Sequence, residues 1–106
     1  MSEPQADPRV VHIVLFRWKP DAAGPAIAAA VEGIRRLRDQ IPGIVSLEIG
    51  PDFSERSQGY QHGLVVTFES RAALETYGPH PAHRRVVSEL IQPISDGVLA
   101  LDFEAR

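Results

Sequence analysis

The chain contains no cysteine. Disulfides, thiolate nucleophiles and sulfur-ligated metals are thereby excluded, and the composition suits a reducing, cytoplasmic setting. Long apolar runs are missing as well. None approaches the ~20 residues a bilayer-spanning helix needs, and the polar MSEPQADPR stretch lacks the apolar core of a secretory signal, so no membrane association is expected. Any excess of one sign of charge is small, with 14 acidic against 11 basic residues and a net charge of −3. The basic run GIRRLRDQ alternates with apolar residues at helical spacing and reads as a solvated helix face, so no nucleic-acid partner is expected. A glycine-rich phosphate loop is also absent, which argues against a nucleotide cofactor.

What remains is an ordinary globular composition, 43% apolar and 24% charged over 106 residues, enough for one domain with one core. Residues 1–8 read as a disordered lead and 9–106 as the domain. RVVHIVLFRWK (9–19) is rich in β-branched and aromatic residues and reads as a strand. The period then changes. Ile27, Val31, Ile34, Leu37 and Ile41 form one helical stripe, opened by Pro25 and stopped by Pro42 and Gly43.

IVSLEIG (44–50) is a second strand and YQHGLVVTFES (60–70) a third, separated by a polar loop. Ser70 is a candidate N-cap for a short helix, RAALETY. Pro79 and Pro81 interrupt that helix, and a new one starts at Pro81 with Val87, Leu90, Ile91 and Ile94 facing inward. Asp96 and Gly97 are expected to turn the chain into a last strand, VLALDFE. The order β-α-β-β-α-β specifies an α+β, ferredoxin-like domain with an antiparallel four-stranded sheet.

Both faces of the first strand are apolar. Val10, His12, Val14 and Phe16 share one face, and Val11, Ile13 and Leu15 the other. Two helices cover only one face of such a sheet. A homodimer through the second face is therefore expected, because an exposed patch of that kind is rare on a monomer.

Two of the four histidines, His80 and His83, sit around the helix break in TYGPHPAHRRVV. In the first turn after Pro81, His83 is expected to stay neutral beside the positive helix end and to point inward with Val87, Leu90 and Ile94. A neutral imidazole is the form a general base needs, and Tyr77 offers a phenolic donor close by. A rigid turn with a locally bonded His83 fits the same residues. His80 reads as a cap or surface residue. A His80–His83 metal site is disfavoured, with no carboxylate at matching spacing. His12 and His62, on neighbouring strands, are expected to approach each other and remain mostly neutral. Trp18 and Tyr60 read as packing residues.

VHIVLFRWKP, GYQHGLVVTFES and ETYGPHPAHRRVV followed by LALDF, in that order, resemble the stress-responsive dimeric α/β-barrel (Dabb) family from about residue 9 to residue 103. The resemblance implies two ferredoxin-like protomers joining their sheets. A plant polyketide cyclase of that family closes a linear polyketide-CoA by an aldol reaction. Its three histidines and one tyrosine carry over by motif onto His12, His62, Tyr77 and His83. The alanine-rich first helix departs from the bulky aromatics that line that enzyme's alkyl pocket, which implies a substrate of different shape.

The functional expectation is a small apolar pocket acting on a polyketide-like or other carbonyl compound as a cofactor-free cyclase or lyase. His83 would serve as base and Tyr77 as oxyanion donor. His12, His62, Val14, Phe16 and Leu64 would hold the substrate, and no metal would be required. Two alternatives stand beside it: a non-catalytic stress-associated barrel or small-ligand binder, and a cofactor-free monooxygenase.

Overall fold

The computed structural model describes residues 7–105, so positions 1–6 of the lead expected at 1–8 lie outside it. The elements run β1 (Val10–Trp18), α1 (Gly24–Gln40), β2 (Ile44–Pro51), β3 (His62–Phe68), α2 (Arg71–Tyr77), α3 (Pro81–Val86), a π-helical turn (Val87–Ile91) and β4 (Ser95–Glu104). The strands form one antiparallel sheet in the order β2-β3-β1-β4. This is the expected ferredoxin-like α+β arrangement.

One face of the sheet carries the core. Val10, Val14 and Phe16 of β1, Leu64, Val66 and Phe68 of β3, and Leu47 of β2 are buried there against Ala30, Val31, Ile34 and Leu37 of α1. Each large apolar side chain fully removed from water contributes about 1.5–3 kcal/mol, so this stripe, and not helix propensity, holds α1 in place. Gly43 ends the helical excursion with φ +92°, a conformation that favours glycine. A Cβ added there would also lie 2.7 Å from that of Ala73.

The other face is uncovered. Val65, Leu99, Leu101 and Phe103 retain between 40% and 61% of their exposure. Register sets Ile13 between Val65 and Leu101, with Val11 and Leu15 flanking it on the same face.

Three local features depart from the sequence reading. Asp96 and Gly97 lie inside β4 and do not form a turn before it. Arg17 pairs with Gly97 and Trp18 with Ser95, which leaves Asp96 as the extra residue of a β-bulge. The Arg17 guanidinium lies over Gly97, 2.7 Å from where a Cβ would stand, so a larger residue there would push this half-exposed side chain aside. β3 is shorter than the 60–70 expected, starting at His62, although Gln61 N–H still donates to Phe16 O at 2.7 Å. The helix after Pro81 is not α-helical to its end: Gln92 N–H bonds back to Val87 O at 2.8 Å, five residues away.

Candidate functional site

Between the core face of the sheet and the helices lies a cavity of about 240 Å³. Its floor is His12, Val14 and Phe16 of β1, Leu64 of β3, and Val98 and Ala100 of β4. Ile34 and Leu37 of α1, with Val86, Val87 and Ile91, form the roof. Tyr77 and His83 complete the lining, so the polar groups are His12, Tyr77 and His83 in an otherwise apolar cavity that opens along β4, where Val98 is half exposed. That is the usual make-up of a small-molecule site.

The break between α2 and α3 builds the polar end. Ser70 caps α2, its hydroxyl accepting from Ala73 N–H at 3.2 Å. His80 caps α3, its Nδ1 accepting from Ala82 N–H at 3.1 Å. The cap role expected of His80 is what the fold uses. With the helix interrupted, the Gly78 carbonyl is open to a side chain, and His83 Nδ1 donates to it at 2.9 Å. A carbonyl oxygen only accepts, so Nδ1 carries the proton and Nε2 keeps the lone pair. Burial holds the His83 pKa below its ordinary 6.5; the neighbouring His12 and His80 add to this, while the Gly78 bond opposes it. Desolvation, not the dipole of a six-residue helix, is the principal cause.

Tyr77 is buried at 3% exposure and stands at the centre of the ring cluster. Its ring centroid lies 4.4 Å from that of His83, 5.0 Å from Phe68 and 5.9 Å from His12. The phenol has no hydrogen-bond partner among the described residues. Burial pushes its pKa up to about 12, so it remains a donor at any ordinary pH.

His12 Nδ1 makes a short contact with Asp102 Oδ1, the residue directly opposite it on β4. With the Asp102 oxygen as acceptor, Nδ1 of His12 is the donor and Nε2 is the nitrogen left over on a ring bordering the cavity. Asp102 is absent from the residues the sequence reading singles out. A signal for it exists: Asp102 interrupts the apolar run VLALDF, and the strand alternation puts it on the same face as Val98 and Ala100.

His62 does not join this group. It pairs with Phe16, whereas His12 pairs with Val66, a separation of roughly 13 Å along the strands at ~3.3 Å per residue. The expected approach of His12 and His62 is therefore corrected by the register. The stacked rings of Phe16 and Trp18, 5.3 Å apart, fill the far end, and His62 Nδ1 accepts from Trp18 Nε1 at 2.9 Å. Burial, reinforced by Arg35, lowers the His62 pKa. Trp18 is 3% exposed and packs as expected, while Tyr60 sits under the Arg17 guanidinium at 5.3 Å.

Among the described residues no group of three or more His, Asp or Glu is set to hold a metal ion. No helix among them is long and apolar enough to cross a membrane.

Comparison with known proteins gives consistent results. The family model for the stress responsive A/B barrel domain, Dabb, matches residues 10–105. A stress-response A/B barrel domain-containing protein of Arabidopsis thaliana is 34% identical over 106 residues; the match takes in 98% of this chain but only 39% of that protein's length. Hydroxynitrile lyase from Passiflora edulis superposes with a TM-score of 0.85 at 21% identity, covering 93% of this chain and 94% of the enzyme. A dimeric ferredoxin-like protein of unknown function from Jannaschia sp. CCS1 is 30% identical with a TM-score of 0.75, covering 92% of this chain and 99% of its own.

Proposed function

This chain belongs to the stress-responsive A/B barrel (Dabb) family, and from that premise we propose that it is a cofactor-free acid–base catalyst of the cyclase or lyase type. Its substrate is a small carbonyl compound held in the cavity under α3. The observation that carries the reading is the pairing of a neutral, Nδ1-protonated His83 with the ring of Tyr77, 4.4 Å away, whose hydroxyl has no hydrogen-bond partner among the described residues, in one apolar cavity. His83 Nε2 takes the proton from the carbon α to the carbonyl, and Tyr77 donates to the oxygen as negative charge develops there. His12, held by Asp102, supplies a second nitrogen that orients the substrate. Val14, Phe16 and Leu64 shape the apolar part.

Size limits the substrate. A void of roughly 150 Å³ holds benzene, so about 240 Å³ suits one ring with a short substituent better than an extended polyketide. That a similarly folded plant protein is a hydroxynitrile lyase supports lyase chemistry on a small carbonyl adduct in such a scaffold. The uncovered sheet face supports a homodimer, as does the dimeric state of a similar ferredoxin-like protein.

The test uses acetophenone as a minimal substrate. Incubated with the protein in D2O, its methyl protons should exchange, as followed by 1H NMR, and His83→Ala should stop the exchange while leaving the circular dichroism unchanged. Binding without exchange would favour the non-catalytic ligand carrier instead.

A further inference from the structure

His83 and Val87 line two cavities at once. On one side lies the apolar cavity already described; on the other is a depression of about 270 Å³ bordered by Gly78, Arg84, Ser88 and Gln92. The two hollows differ in chemistry, the outer one adding polar groups to a partly apolar surface. The inner one offers aliphatic and aromatic walls, and the outer one offers a guanidinium, a hydroxyl and a carboxamide. Arg84 has no ion-pair or hydrogen-bond partner among the described residues, and neither has the Gln92 side chain. Arg38, Arg36 and Arg35 lie on a different helix, α1, and Arg71 is paired with Glu104 at 2.8 Å.

We propose that the outer depression is a second subsite that receives an anionic group, carboxylate or phosphate, on a ligand whose apolar carbonyl-bearing body occupies the inner cavity. Arg84 is its ion-pair partner and the Gln92 carboxamide donates a hydrogen bond to it, while the Ser88 hydroxyl, which donates to Arg85 O at 3.4 Å, only borders the site. The inference rests on the inner cavity being the ligand site and adds the substrate class to it. A molecule spanning both hollows passes the His83 ring, so the carbon between its apolar body and its acidic group lies beside the base. Only a proton moves in this arrangement: Nε2 of His83 accepts it, and the electron pair left behind is delocalised onto the carbonyl oxygen facing Tyr77. Arginine suits the role because its planar fork matches both carboxylate and phosphate oxygens.

Three probes separate the possibilities: acetophenone, 3-benzoylpropionate and 3-oxo-3-phenylpropylphosphonate (the phosphonate standing in for phosphate). The two acids each have the carbon α to the carbonyl between body and acid. All three are titrated into wild type and Arg84→Gln with 1H–15N NMR as the readout. Arg84 is exposed, so the variant should fold. In wild type at low salt, at least one acidic probe should bind about threefold to fivefold more tightly than acetophenone, the scale of a solvent-facing ion pair. Arg84→Gln should erase that advantage and leave acetophenone affinity unchanged. Which acidic probe gains more distinguishes carboxylate from phosphate. An equal advantage in Arg84→Gln, or none in wild type, overturns the subsite while leaving the inner cavity intact. Failure of all three probes to bind overturns both.

Discussion

The Nδ1 of His83 donates to the carbonyl oxygen of Gly78 at 2.9 Å, across a turn that two prolines make obligatory. The helix break is what makes this bond possible. A continuous helix would commit the Gly78 carbonyl to a backbone N–H one turn on. The break frees it to hold an imidazole in a single tautomer, with the basic nitrogen left over.

That arrangement predicts a pH dependence with a definite sign. His83 and His62 both have folded pKa values below 6.5 because burial disfavours their charged forms. Below pH 6.5 the unfolded chain takes up protons that the folded chain refuses. Stability should therefore be full above pH 6.5 and fall as pH drops toward the lowered folded values. Urea midpoints measured between pH 8 and 5 check this. Exchange activity should likewise persist below pH 6.5, further than an imidazole free in water would allow.

Tyr77→Phe separates packing from chemistry. The ring contacts with Phe68 and His83 remain, and the lost hydroxyl had no partner, so stability should change by no more than about 0.5 kcal/mol. The exchange rate should fall by about a hundredfold, the usual effect of losing one oxyanion donor. Thermal melts and exchange kinetics on the same sample provide both numbers.

The open sheet face predicts its own variant. Leu101→Glu places a carboxylate in the middle of a patch that two copies would bury against each other. A buried unpaired charge, present twice in a symmetric interface, should weaken the dimer by about a hundredfold or more. Sedimentation at micromolar protein should show dimer for wild type and monomer for the variant.

Gly43→Ala tests the junction after α1. The φ of +92° and the Ala73 side chain 2.7 Å from the new Cβ both oppose it. A loss of about 1–2 kcal/mol is expected from the backbone alone, read as a lower denaturant midpoint with an unchanged slope.

Much of this molecule is legible in its sequence. The change from period two to period three or four between Trp18 and Ile27 defines β1 and α1, and the doubly apolar first strand identifies the face left open. Pro79 and Pro81 locate the helix break, and the inward place of His83 follows from its spacing to Val87. What is not legible depends on register. Whether His12 meets His62 or Asp102 is set by which residues pair across β1, and no local pattern encodes that alignment. The π-helical turn escapes for a similar reason: adding one residue to a helical turn leaves the apolar spacing of Val87 and Ile91 readable as ordinary α-helix. The bulge at Asp96 reads as a turn because Asp-Gly serves both purposes.

The central claim is that a neutral imidazole at the helix break removes a proton from a carbonyl compound in the inner cavity. The most direct measurement is the initial rate of acetophenone methyl deuteration at pH 7, compared between wild type and His83→Ala. Wild type should exceed buffer alone, with the variant returned to the buffer rate at an unchanged melting temperature. Equal rates for the two proteins, or a wild-type rate no faster than buffer, would contradict it.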